Sequence, residues 1–220
     1  MKKFVVIVAG GSGSRMNSTL PKQFLLLKGK PVLYYTVNAF LKAYTDITVI
    51  LVLPEAYMVT GKEIVDEFFT YSEIQIAMGG STRFHSVRNG LQLVKEDSIV
   101  FVHDAVRCMI GATLIHRCYE TALEHGSAVP VIASKDSVRI LTGYDNEAIE
   151  RNRVKLVQTP QTFYSNILLP AFNIGYNDKF TDEATVVEAS GFKIRLVEGE
   201  ENNFKITLPV DLELAEKMID

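Results

Sequence analysis

The chain alternates between two hydrophobic periods. Residues 4–8, 47–53, 74–78, 99–102 and 128–132 are short, rich in β-branched side chains and almost continuously apolar. Strands covered on both faces read this way, so the five segments predict a buried, mostly parallel sheet. Between them the apolar residues recur at helical spacing: Leu33, Val37, Phe40, Leu41 and Tyr44, then Phe84, Val87, Leu91 and Val94, then Leu114, Ile115, Cys118 and Ala122. Each set is one stripe that a helix can lay on a sheet. The series predicts βαβ units with right-handed crossovers, hence an α/β, Rossmann-like three-layer sandwich.

Residues 134–158 break that rhythm. Two strand-like pieces, 137–141 and 153–157, flank a polar tip at 142–147. The pattern fits a β-arm projecting from the sheet better than another βα unit, with a plain surface loop as the alternative. A two-stranded ribbon is marginal alone and gains by packing on a partner. Helical segments near 164–173 and 182–189, a strand at 193–197 and a closing helix at 209–219 follow. No internal repeat, low-complexity tract or linker divides the chain, so 1–220 is expected to be a single domain.

Composition narrows the function classes. At 220 residues with 47% apolar and 22% charged residues, the chain has the makings of a real core, which excludes disordered and fibrous classes. A net charge of −3 and a pI near 5.9 argue against a nucleic-acid partner but leave room for a small anionic substrate. No apolar run approaches the ~20 residues that span a bilayer, and the opening Met1-Lys2-Lys3 leads into a first strand rather than a secretory signal. Cys108 and Cys118 lack metal-ligand or C-x-x-C spacing and are expected as reduced thiols in the cytoplasm.

The candidate chemistry lies in loops that follow strands. After the first strand come A-G-G-S-G-S-R-M at 9–16 and P-K-Q-F at 21–24. A Walker-type loop would need glycine where Arg15 stands, and a dinucleotide fingerprint would need glycine at Met16. What remains is a turn whose small residues let backbone N–H groups approach an anion, with Arg15 inside it and Lys22 just beyond. Two cations beside a phosphate cradle suit charge stabilisation during transfer. A tight β-to-α turn with solvated basic residues is an equal reading of the turn alone. G-G-S-T-R at 79–83, ending in Ser86, and H-D-A-V-R at 103–107 again close strands, so all three loops meet at one sheet edge. Asp104 there can hold magnesium or a substrate hydroxyl, or simply cap a helix or pair with Arg107. Thr181, followed by two acids, has the form of an N-cap. No Ser-His-Asp order or histidine cluster supports acyl transfer or zinc chemistry.

Taken together, A-G-G-S-G-S-R-M, P-K-Q-F, G-G-S-T-R-F-H-S (79–86), H-D-A-V-R, E-R-N (150–152), Q-T-P-Q (158–161), F-T-D-E-A (180–184) and L-V-E-G-E-E-N-N-F-K-I-T (196–207) resemble one family. It is the 2-C-methyl-D-erythritol 4-phosphate cytidylyltransferases of the non-mevalonate isoprenoid pathway, matched in order from about residue 3 to the C-terminus. Ribitol-5-phosphate cytidylyltransferases share several of these motifs, but T-D-E-A and the V-V-E-A after it resemble the methylerythritol branch. A non-catalytic nucleotide-binding module on the same fold is the alternative from another class; the presence of Arg15, Lys22, Arg151 and Lys205 favours the enzyme.

The resemblance implies a homodimeric, cytoplasmic transferase that uses CTP with magnesium and exchanges its β-arm. It implies that Ala9, Gly10, Gly11 and Gly13 line the nucleotide, and that Arg15 and Lys22 contact the triphosphate and stabilise the transition state. Gly80, Ser81 and Ser86 would form the cytosine and ribose pocket. Lys205 and Arg151 would grip the phosphate of the sugar-alcohol substrate, with Thr159, Thr181, Ser137, Asp104 and Arg107 around its hydroxyls and Asp104 as the one candidate metal ligand. Ser137 and Arg151 would serve the neighbouring subunit. Two departures from the family pattern stand out: Cys108 where proline is usual, and Phe204 where an aliphatic residue precedes the lysine.

Overall fold

The structure, a computed structural model, describes residues 1–10, 20–69 and 73–219. Strand β1 (Lys2–Val8) leads to the two-residue strands β2 (Leu26–Leu27) and β3 (Lys30–Pro31), which pair as a small ribbon. Then come α1 (Val32–Ala43), β4 (Ile47–Leu53), α2 (Met58–Phe68), β5 (Ile74–Met78), α3 (Arg83–Leu91), β6 (Ser98–Asp104), α4 (Ala112–His125) and β7 (Ser127–Ala133). The hairpin β8 (Val138–Thr142) and β9 (Asp145–Ile149) precedes β10 (Lys155–Val157), β11 (Gln161–Tyr164), α5 (Ser165–Ala171), α6 (Glu183–Ala189), β12 (Leu196–Glu198) and α7 (Pro209–Met218).

The central sheet is mostly parallel, as expected. β5, β4, β1 and β6 lie side by side in parallel, and β11 is then inserted antiparallel between β6 and β7. The period-two alternation of the strands separates two cores. Val5 and Ile7 of β1 point into one with Leu33, Val37 and Phe40 of α1 and Leu114, Ile115 and Cys118 of α4. Phe4 and Val6 point into the other, with Phe84, Val87 and Leu91 of α3 and Leu168 and Val187 of α5 and α6. Helices therefore cover both faces, the three-layer arrangement that all-apolar strands require. Gly90 lets α3 come down on the sheet: a methyl group there would lie 2.7 Å from Val6 and 2.8 Å from Val52.

Four elements differ from the sequence expectation. Helix α2 buries only Gly61 and Ile64, too few positions to make a readable stripe. Residues 161–164 form a buried central strand although they stand between turn-like Thr159-Pro160 and a helix. The arm closes at Gly143, whose φ of 70° is easy only for glycine, so its second strand is β9 and not 153–157. Asn146 and Glu147, poor strand formers, are carried by cross-strand pairing, including a bond from the Arg139 Nε to the Asn146 side chain. Residues 155–157 instead join the main sheet through β7. Finally, β12 begins at Leu196 because the Arg195 N–H is taken by the Ser127 hydroxyl rather than by a strand partner.

Candidate functional site

The site forms where the strand order reverses. The chain runs outward from β1 through β4 to β5 and returns to β6 on the other side of β1, so the loops leaving β1 and β6 diverge from neighbouring points. Val8 and Asp104 are register partners, and the Ala105 N–H donates to the Val8 carbonyl at 3.0 Å. In open α/β sheets this crevice at the carboxyl ends is where ligands bind.

On the β5 side, the turn before α3 is built by its own side chains. The Thr82 hydroxyl caps the helix by accepting from the His85 N–H at 3.3 Å. The Ser86 hydroxyl, buried, accepts from the Gly80 N–H and donates to the Thr82 carbonyl, both at 3.0 Å. A methyl group on Gly80 would lie 2.4 Å from the His85 Cβ, so glycine is required there for close packing. Gly10 faces the same Ser86 hydroxyl, which brings the first loop alongside this turn, while Gly80 and Ser81 stay exposed. Gly11, Gly13 and Arg15 lie outside the described residues. Ala9 is buried at the end of β1, where its carbonyl accepts from the Gln23 side chain. Lys22 is buried too, and its ammonium donates to the Ile206 carbonyl at 2.7 Å, tying the first loop to the segment that bears Lys205.

Asp104 is the hub of the β6 side. Its Oδ1 accepts from the Arg83 Nε at 3.2 Å; its Oδ2 lies 2.9 Å from the Lys205 Nζ and 3.7 Å from the Arg107 Nε. Burial alone would raise the Asp104 carboxyl's pKa, but Arg83, Lys205 and Arg107 more than reverse that and hold it far below the usual carboxylate range. Burial in turn lowers the Arg107 pKa, with Asp104 opposing. Arg83 continues to Glu183 at the start of α6, donating to both carboxylate oxygens. Burial works against the Arg83 charge, and Glu183 and Asp104 overcome it, so its pKa is raised.

A second layer supports Asp104. His103 is fully buried, and desolvation lowers its pKa to about 3, so it is neutral. Its Nε2 faces the Arg107 carbonyl at 3.2 Å and must carry the proton; its Nδ1 therefore accepts from the Thr159 hydroxyl at 3.0 Å. The same hydroxyl accepts from the Asp104 N–H at 3.1 Å. Asn203 ties the last loop to this layer: its Nδ2 donates to the Thr159 carbonyl at 2.7 Å, and its own carbonyl accepts from the Arg107 Nη1 at 2.8 Å.

Thus the fold brings Lys22, Asp104, Arg107, Thr159 and Lys205 together and sets Gly10, Gly80, Ser81 and Ser86 beside one another. Thr181 is exposed and does not cap α6; Asp182 does, accepting from the Thr185 N–H at 2.9 Å in a capping box one residue later than expected. Ser137 and Arg151 are exposed near the arm, and Arg151 donates to the Lys135 carbonyl rather than joining the Asp104 cluster. Arg83, Glu183 and Asn203 escaped the sequence reading. Each sits inside a quoted motif, but pairing over 21 to 100 positions leaves no local spacing to find. Cys108 is packed in a small core with Val106 and Ile206. Phe204 packs against the same cluster. Among the described residues no three His, Cys, Asp or Glu side chains converge to hold a metal, and no helix is long and apolar enough to cross a membrane.

The arrangement places a glycine turn beside a cation cluster whose most exposed member among the described residues is Lys205. Comparison with known proteins gives the family. The family model for 2-C-methyl-D-erythritol 4-phosphate cytidylyltransferase matches residues 3–220. The Bacteroides thetaiotaomicron protein of that name is 45% identical over 219 residues, covering all of both chains. The Clostridium botulinum one is 37% identical over 224 residues, covering 100% of this chain and 98% of its own. Among solved structures, the cytidylyltransferase from Thermus thermophilus has a TM-score of 0.78 at 32% identity, covering 99% and 98% of the two chains. The 4-diphosphocytidyl-2C-methyl-D-erythritol synthase from Anaerococcus prevotii has a TM-score of 0.86 at 25% identity, covering 99% and 97%.

Proposed function

The chain belongs to the 2-C-methyl-D-erythritol 4-phosphate cytidylyltransferase family, and on that premise we propose how its residues divide the reaction. It is a CTP-dependent nucleotidyltransferase of isoprenoid synthesis that joins methylerythritol 4-phosphate to CTP, giving 4-diphosphocytidyl-methylerythritol and pyrophosphate. A phosphate oxygen of the acceptor attacks the α-phosphorus of CTP, the new P–O bond forms, and the bond to the β-phosphate oxygen breaks to release pyrophosphate. The nucleophile is anionic at neutral pH, so no general base is needed.

The obstacle is an anion approaching a polyanion. Arg15 and Lys22 stabilise the charge that builds on the triphosphate, with Ala9, Gly10, Gly11 and Gly13 presenting backbone N–H groups to it. Gly80 and Ser81 line the nucleoside pocket, and Ser86 keeps their turn in shape. Lys205 and Arg151 hold the acceptor phosphate in line, while Arg107, Thr159, Thr181 and Ser137 surround its hydroxyls. The observation that carries this reading is Lys205 held on Asp104 at the strand-order reversal, next to the Gly80 turn.

Because Arg151 and Ser137 sit at the exposed arm, we assign them to the neighbouring site of a homodimer that exchanges the arm. Both oxygens of Asp104 face cations, so Asp104 acts as their counter-ion and does not suit a metal ligand. Magnesium comes with the CTP phosphates, whose charge it screens, and no step is assigned to a protein-bound ion. The two buried free thiols suit a reducing cytoplasm.

Pyrophosphate release measured with CTP and either methylerythritol 4-phosphate or ribitol 5-phosphate tests the acceptor: the first is expected to be the faster, and equal or faster release with ribitol 5-phosphate overturns the assignment. The same assay on Arg15→Ala tests the division of labour. Turnover is expected to fall by roughly a hundredfold, the scale for one charge-stabilising donor; near-normal turnover removes Arg15 from the reaction.

A further inference from the structure

One buried ion pair beside this site has no part in the roles above. Glu183 is the first residue of α6, and its side chain is 1% exposed. Its one ion-pair partner among the described residues is Arg83, the first residue of α3, and the guanidinium reaches both of its oxygens. The same guanidinium contacts a single oxygen of Asp104, the Nε and Nη2 both at 3.2 Å from Oδ1. Along the chain of charges the exposures are 1% at Glu183, 27% at Arg83, 10% at Asp104, 12% at Arg107 and 39% at Lys205, so Glu183 is the most buried member and Lys205 the most exposed. The buried end is closed off; the open end is the cation that can meet a ligand.

We infer that the Arg83–Glu183 pair is a positioning clamp for the acceptor-phosphate site, acting through Asp104 on Lys205 and Arg107. The charges explain why two residues are needed. Arg83 and Glu183 sum to zero, so the pair can hold Asp104 Oδ1 without adding charge. Oδ2 is thereby aimed at Lys205 and Arg107, and those three groups sum to +1, which remains for an anion. Without Arg83 the carboxylate is free to turn and engage one cation with both oxygens, a geometry carboxylates favour. Without Glu183 the Arg83 charge falls wholly on Asp104 and competes with Lys205 for it. Placement supports the same role: α3 begins directly after the Gly80–Thr82 turn and α6 follows Thr181 and its cap Asp182, so the clamp fixes the distance between the nucleotide and acceptor sides.

The inference rests on the acceptor-site reading above, and its test separates the two. Removing one member of a buried pair is expected to harm folding, whereas replacing both with apolar side chains commonly preserves it. The double variant Arg83→Met/Glu183→Leu is therefore compared with the parent by thermal unfolding and by steady-state pyrophosphate release. A preserved unfolding midpoint, a KM for methylerythritol 4-phosphate raised roughly tenfold or more, and a KM for CTP within about twofold are expected. Unchanged KM values for both substrates at preserved stability overturn the inference, as does a rise confined to CTP. If the double variant does not fold, Glu183→Asp carries the same kinetic test, because it keeps the charge and shortens its reach; parental KM values there also overturn it. Lys205→Ala is measured alongside: if it leaves the KM for methylerythritol 4-phosphate unchanged, the failure lies in the acceptor-site reading and not in the clamp.

Discussion

The Asp104 cluster and the β8–β9 arm are both rich in charged residues, yet they are held in opposite ways. Around Asp104, buried and half-buried side chains from four segments bond to one another and to backbone groups. The arm is a ladder between two strands with its side chains in water, including a fully exposed Tyr144 and Leu141 at 80% exposure. That network is built from groups of one chain. An exposed ribbon with apolar side chains gains by packing on a partner, and the proposed assignment of Ser137 and Arg151 to a neighbouring copy rests on that.

Lys22→Ala attacks the closed region and carries the largest expected effect. Turnover should fall by roughly a hundredfold while circular dichroism reports a folded protein, the scale for losing one preorganised charge. Turnover within a few fold of the parent would detach the first loop from the chemistry. Arg151→Ala attacks the open region. A KM for methylerythritol 4-phosphate about tenfold higher, with the CTP value nearly unchanged, is expected from the loss of one charge-assisted contact. A weakened CTP interaction would place Arg151 on the wrong side of the site.

Acid sharpens the contrast. Buried His103 titrates at about 3, below its ordinary 6.5, so the unfolded chain takes up that proton first. Stability is fully present above about pH 6.5 and falls as the pH drops towards 3, by about 1.4 kcal/mol per pH unit. Chemical denaturation between pH 7 and 4.5 should show this slope, and His103→Gln should flatten it; an equal slope in both proteins assigns the acid sensitivity elsewhere. Asp104, depressed by its three cations, adds a loss in the same direction only at lower pH. The smallest effect is expected in the arm, where Leu141→Ser should change monomer stability by less than about 0.5 kcal/mol. It should nevertheless shift sedimentation towards monomer, and an unaltered dimer would deny the arm its interface role.

Much of this architecture is legible in the chain. The strands at 47–53 and 74–78 appear at the expected residues: the first is buried at every position, as its nearly continuous apolar run demands, while the second is a half-buried edge strand. The stripe of Leu114, Ile115, Cys118 and Ala122 is the buried face of α4, since helical spacing alone places those four together. Strand β11 was not legible. Gln161 and Thr162 are polar yet buried; Gln161 is tolerated there because its amide donates to Asp182 and accepts from the Ala184 N–H. Likewise, Arg83 stood in plain view beside the Gly80 turn, but nothing near it in the chain reveals its two carboxylate partners.

The sequence by itself determined the alternation of the first strands with the helices that cover them, the glycine turn behind β5, and the set of cations and acids available for chemistry. These depend on local geometry: the period of the hydrophobic pattern, and the absence of a Cβ where backbone must approach closely. Only the tertiary structure decided that Asp104 faces three cations, that Thr159 and His103 share a hydrogen bond behind it, and that Glu183 anchors Arg83 from the interior. Apart from Asp104 and Arg107, which are three positions apart, those pairings join residues 21 to 101 positions apart, and their strength comes from exclusion of water, which exists only once the layers have packed.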